Sequence, residues 1–229
     1  ESNGRLLLLA HGYRPESAEL DPEFGSSHSL FEDLARDGWT VAASSYRRNG
    51  WILEDAAADL IALRGHITKN VAAYERVYLA GNSMGGGIIT WIAEHEPEGF
   101  DGALAMGAYL FEPIASESER LTELADYYGG SPQFPILYLT NISEVEGPEA
   151  YIALAEDASP KPVLWRVDRA GHVNLNYAEQ AAGLNGLVDW VESGSIDPTK
   201  NGTVVMQPES TSEFSDGVAV GGVHALVPV

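Results

Sequence analysis

The residues best suited to chemistry surround Ser83, in Gly81-Asn82-Ser83-Met84-Gly85. The pentapeptide fits the G-x-S-x-G nucleophile elbow. A serine hydroxyl becomes a useful nucleophile when a sharp strand-to-helix turn exposes it to a base. Such a turn needs small flanking residues, because neighbouring backbones come close. Val77-Tyr78-Leu79-Ala80 supplies an apolar strand before the turn, and Gly86, Gly87, Ile88 and Ile89 open an apolar helix behind it. The positive end of that helix would face the reacting centre. Met84 would place its backbone N–H beside a developing oxyanion. A plain glycine-rich turn can carry the same letters, and the chain holds 24 glycines, so the assignment depends on what stands around the motif.

Three further segments supply that context. His11-Gly12-Tyr13 follows the first apolar run, where a second oxyanion donor is needed; the N–H of Tyr13 would be that donor, and His11 itself reads as a structural hydrogen-bonding residue. A simple strand-ending turn is the alternative there. Ala170-Gly171-His172-Val173-Asn174 lies after the last core strand and before the last core helix. His172 is the general base expected in this order; His28 and His66 precede the serine, His95 ends the elbow helix and His224 lies in the tail. The orienting acid should sit just past the strand Ile136 to Thr140, in Asn141-Ile142-Ser143-Glu144-Val145-Glu146-Gly147. Glu144 is the first choice, with Glu146 and Asp168 open. A carboxylate there would hold the imidazole in the useful tautomer.

Arg47 or Arg48, at the end of a strand, could bind a substrate carboxylate, and Trp51 could line a substrate pocket, as could Tyr127 and Tyr128. Offsetting local acidic charge and core packing are their plainer uses. Asn141-Ile142-Ser143 and Asn201-Gly202-Thr203 match the glycosylation sequon; the first falls in the presumed acid loop and reads as coincidence. Glu16, Asp21 and Glu23 lack the spacing of a calcium loop.

These residues need elements to hold them, and strand-like and helix-like segments alternate along the chain, the pattern of a parallel sheet covered by helices. Strands are expected at Leu6 to Ala10, Trp39 to Tyr46, Arg76 to Ala80, Phe100 to Gly107, Pro135 to Thr140 and Pro162 to Val167. Helices are expected at Leu30 to Asp37, Leu53 to about Val71, behind Ser83 through Glu94, Pro148 to Glu156, and Tyr177 to Glu192, the last interrupted by Gly183 and Gly186. A polar loop runs from Tyr13 to about Ser29, and Leu110 to Gly130 reads as a loop with a short helix, a small lid. Composition then shifts. Residues 1–193 read as the catalytic domain, and 194–229 as a β-prone tail or the start of another module, with strands at Thr203 to Met206 and Val218 to Val227. A sheet-edge strand is the alternative for the tail.

The totals narrow the partners. There are no cysteines, which excludes a thiol nucleophile, a thiolate metal site and disulfides. Asp and Glu number 34 against 13 Lys and Arg, a net charge of −21, which repels phosphate backbones and anionic lipid. Nucleic-acid and membrane roles are therefore not expected, and a secreted or extracellular setting suits the charge better than the cytoplasm.

Together, His11-Gly12, the elbow around Ser83, the acidic loop around Glu144 and Gly171-His172 resemble the α/β-hydrolase superfamily, over about residues 5 to 192. The resemblance implies a mostly parallel central sheet with helices on both faces, a Ser-acid-His triad, no cofactor, and hydrolysis through an acyl-enzyme. The chain departs from the family in opening at the position of its third strand and in using Glu where Asp is commoner. His-Gly-Tyr without a glycine run resembles the simple-loop esterases and lipases, so a small-molecule ester is the expected substrate. A small peptidase or amidase on the same triad, and a non-catalytic binding module with the hydrolase fold, are the alternatives.

Overall fold

A computed structural model describes residues 2–23, 30–112, 116–196, 202–204, 213–215 and 218–220. Strand β1 (Arg5–Ala10) is followed by helix α1 (Leu30–Arg36), β2 (Thr40–Ala43) and α2 (Leu53–Asn70). The centre of the chain forms β3 (Arg76–Asn82), α3 (Met84–His95), β4 (Gly102–Met106) and α4 (Glu117–Tyr127). Then come β5 (Ile136–Asn141), a 3-10 turn (Ile142–Glu144), α5 (Glu146–Leu154), β6 (Val163–Val167) and α6 (Tyr177–Ser193).

The strands form one parallel sheet in the order β2-β1-β3-β4-β5-β6, extended at its edge by β7 (Gly202–Val204). Strand β7 pairs parallel with β6, Trp165 opposite Gly202, so this part of the tail takes the sheet-edge arrangement. Glu213–Ser215 (β8) and Val218–Val220 (β9) form a separate antiparallel pair. The rest of the expected strand Val218 to Val227, and residues 24–29 of the polar loop, lie outside the described residues.

The all-apolar run of β1 has a physical reason. Successive side chains of a strand point to opposite faces, and both faces of this sheet are covered. Leu6, Leu8 and Ala10 join one core with α2, α3, α4 and α5. Leu7 and Leu9 join the other with α1 and α6.

Helix α6 runs unbroken through Gly183 and Gly186, against the expected interruption. The glycines are there for closeness. A Cβ on Gly186 would stand 2.4 Å from the Trp165 ring, and one on Gly183 3.0 Å from Leu139. The helix thus seats directly on β5 and β6. Its start is fixed by a capping box, in which the Asn176 side chain accepts from the Glu179 N–H at 2.9 Å and Glu179 accepts from the Asn176 N–H at 2.8 Å.

Candidate active site

The segments carrying His11, Ser83, Glu144 and His172 emerge at the carboxyl ends of β1, β3, β5 and β6. The strand order also turns there, with β2 on one side of β1 and β3 on the other, the place where open parallel sheets leave a crevice.

Ser83 lies between β3 and α3 at φ 54°, ψ −122°. A left-handed conformation at a non-glycine residue costs about 1–3 kcal/mol, so the surroundings must impose it. They do so on both sides of the residue. The Ser83 N–H donates to the Met106 carbonyl at 3.0 Å, and the Ser83 carbonyl accepts from Gly86 at 2.9 Å and from Tyr109 at 3.0 Å. The glycines around it are steric requirements. A Cβ on Gly85 would lie 2.0 Å from the Ala10 carbonyl oxygen, and one on Gly86 2.5 Å from the Ala108 Cβ. Glycine in a helix costs about 1 kcal/mol against alanine, and close seating of α3 on the sheet offsets it here.

Ser83, His172 and Glu144 form a hydrogen-bonded chain. The Ser83 hydroxyl stands 2.8 Å from His172 Nε2, and His172 Nδ1 stands 2.5 Å from Glu144 Oε2. A carboxylate only accepts, so Nδ1 carries the proton and Nε2 turns its lone pair to the serine. The other Glu144 oxygen accepts from the Val173 N–H at 3.0 Å. Glu146 instead lies 3.7 Å from Arg120. Asp168 belongs to the turn after β6, and the nitrogens of His172 are engaged by Glu144 and Ser83.

Further residues, for which the sequence suggested no part in the site, hold the two loops together. Asn141 donates to the Asn174 carbonyl at 3.0 Å and accepts from the Asn174 N–H at 2.8 Å. The Ser143 hydroxyl meets both the N–H and the carbonyl of Gly171, at 2.9 and 3.1 Å. Arg169 bonds the Asn174 carbonyl at 2.5 Å and the Glu179 carboxylate at 2.5 and 3.0 Å. Glu179 is buried, so this pair anchors the histidine loop to the start of α6. Asn-x-x-Glu at 176–179 was the sequence signal for that anchor. Asn141, a sequon residue, is buried and doubly bonded, which removes it from glycosylation.

Met84 is the first residue of α3, directly after the serine. The loop carrying Tyr13 passes against Ser83, since a Cβ on Gly12 would stand 3.3 Å from Ser83 Cβ. His11 is buried behind it. Its ring stacks on Tyr46 at 4.1 Å and its Nδ1 is 2.8 Å from the Gly12 carbonyl. Burial pushes the Tyr46 phenol far above its ordinary value, so it stays neutral.

A cavity of about 600 Å³ opens beside Ser83, lined by Tyr13, Glu16, Gly50, Trp51, Tyr109 and Glu112. Trp51 thus lines a cavity next to the serine. Arg47 is not among the lining residues. Its guanidinium holds Asp59 at 2.7 and 3.0 Å, and Arg48 holds Asp55 at 2.7 Å, so both offset acidic charge on α2.

Solved structures share this arrangement of strands and helices. An esterase of Pyrococcus furiosus superposes with a TM-score of 0.59 at 14% identity, over 85% of this chain and 83% of that one. A fluorophosphonate-binding serine hydrolase of Staphylococcus aureus superposes with a TM-score of 0.59 at 13% identity, over 83% and 84%. The fold is that of the α/β-hydrolases. An acylaminoacyl peptidase of Pyrococcus horikoshii also shares it, at a TM-score of 0.55 and 11% identity, over 76% of this chain and 34% of its own. No family model matches the chain, and no curated protein matches its sequence.

Proposed function

We propose that the protein is a serine hydrolase that cleaves carboxylic esters through an acyl-enzyme. The observation that carries this reading is the chain Glu144–His172–Ser83, with contacts of 2.5 and 2.8 Å, ending on a serine held in an elbow.

His172 Nε2 takes the Ser83 proton as Oγ attacks the ester carbonyl carbon. The carbonyl π electrons move to oxygen, where the N–H groups of Tyr13 and Met84 hold the negative charge. Glu144 stabilises the imidazolium and keeps the ring oriented. As the tetrahedral intermediate collapses, the C–O bond to the alcohol breaks and His172 gives its proton to the departing alkoxide. Water then repeats the sequence, with His172 as its base, and releases the acid and free Ser83.

Ser83→Ala tests this directly. The expected result is loss of activity on nitrophenyl esters by a factor of roughly a thousand or more. Unchanged ester hydrolysis by that variant would overturn the reading. A peptidase or amidase reading rests on the shared fold of the acylaminoacyl peptidase. A panel of nitrophenyl esters against aminoacyl anilides separates the two, and esters are expected to react faster.

A further inference from the structure

We propose that the cavity beside Ser83 selects ester substrates carrying a permanent positive charge, an ammonium group in the acyl or the alcohol part. The inference rests on the esterase reading above and names the substrate class of that same site.

The cavity's side chains are of two kinds besides the serine. Tyr13, Trp51 and Tyr109 present rings, with Trp51 and Tyr109 edge-to-face at 5.8 Å and 88°. Glu16 and Glu112 present carboxylates. No basic side chain lines the cavity among the described residues, and neither glutamate takes part in an ion pair there. The nearby cations Arg47 and Arg48 are spent on Asp55 and Asp59. A mostly apolar ester would have used the rings alone. Carboxylates in the lining repel an anionic acyl group and attract a cation.

More negative charge stands behind Glu112. Its N–H donates to Glu123 at 3.0 Å, and its carboxylate accepts from the Tyr127 hydroxyl at 3.1 Å. The Tyr127 phenol is raised by burial first, then by Glu112, Glu123 and Glu54. A trimethylammonium group suits such a wall because it has no N–H to satisfy. Ring faces attract it through their quadrupoles, and carboxylates act on it at a distance without directional demands. The net charge of −21 draws cations toward the molecule as a whole, although only the cavity can distinguish one ester from another.

The test uses two isosteric esters of the same acid, butyrylcholine and 3,3-dimethylbutyl butyrate, which differ by N⁺ in place of carbon. The expected ratio of kcat/KM is about tenfold in favour of the cation at low salt, falling as salt is added. Replacing both carboxylates, Glu16→Gln with Glu112→Gln, should lower the ratio several-fold toward what the rings alone supply; the ratio is read within each protein, so a general loss of rate does not disturb it. A wild-type ratio of one, with Ser83-dependent hydrolysis of the neutral ester, overturns the cation inference and leaves the esterase reading intact. Absence of hydrolysis of both esters, with no labelling of Ser83 by a fluorophosphonate, overturns the esterase reading instead. In that event tetramethylammonium binding decides the cavity's preference. Saturable quenching of tryptophan fluorescence, absent from Trp51→Phe and weakened in the double Gln variant, supports it, and no quenching overturns it.

Discussion

The three side chains joined at Ser83 differ in how much each depends on its neighbours. Ser83 is fixed by its own backbone, which donates to the Met106 carbonyl and accepts from the N–H groups of Gly86 and Tyr109. His172 is half-exposed and takes its orientation from Glu144 on one nitrogen and Ser83 on the other. Glu144→Gln would replace an accepting oxygen or present an N–H to Nδ1, either weakening the bond or favouring the wrong tautomer. It should lower kcat on an activated ester by roughly a thousand- to ten-thousand-fold, while Glu146→Gln stays within about threefold. Steady-state kinetics of both variants check this; equal losses would move the acid role away from Glu144. The sequence could narrow the acid to Glu144, Glu146 and Asp168 but not separate them by spacing alone. Their difference lies in a 3-10 turn that aims one carboxylate at the imidazole and leaves the next beside Arg120. Glu16, Tyr109 and Glu112 had no local pattern to announce them, because they meet only when loops after different strands close on one cavity.

At the level of elements, the strands and helices were legible because their periodicity is strong and their breaks carry proline or glycine. Helix α6 departs from what local propensity favours. Gly183 and Gly186 look like helix breakers to local propensity, yet contact with Leu139 and Trp165 needs their missing Cβ atoms, and packing prevails over the propensity cost. The loop that bears His172 relies on a different device, the Arg169–Glu179 pair. Removing Arg169 would leave a buried carboxylate without its cation. Arg169→Ala is expected to destabilise the protein by about 3–5 kcal/mol. Because Arg169 also holds the Asn174 carbonyl, which Asn141 shares, the variant should lose esterase activity below its melting temperature as well. Denaturant titration and activity at several temperatures measure the two effects; a stability change under about 1 kcal/mol would show that the pair does not anchor the loop.

Across the whole molecule, burial of phenols sets an alkaline limit. Tyr78 is pushed up to about 12, chiefly by burial, from an ordinary value of 10.0. Tyr128, Tyr138 and Tyr151 are raised further, with burial again the largest cause. The folded chain therefore keeps protons that the unfolded chain releases above about pH 10. Their contribution to stability is fully present below pH 10 and is lost as pH rises through 12 and beyond. Denaturation midpoints should hold steady from pH 8 to 9.5 with respect to these groups and fall steeply above pH 10, about when tyrosinate absorbance appears. Tyrosinate appearing in the folded state at pH 10 for all ten tyrosines would contradict the burial described.

An activated Ser83 nucleophile should react covalently with a fluorophosphonate. The folded wild-type chain should take up one fluorophosphonate, mapped by mass spectrometry to the peptide containing Ser83. Ser83→Ala should take up none, and His172→Ala should react far more slowly. Labelling of the Ser83→Ala variant at the wild-type rate, or a wild-type chain that hydrolyses esters while Ser83 stays unmodified, would contradict the account.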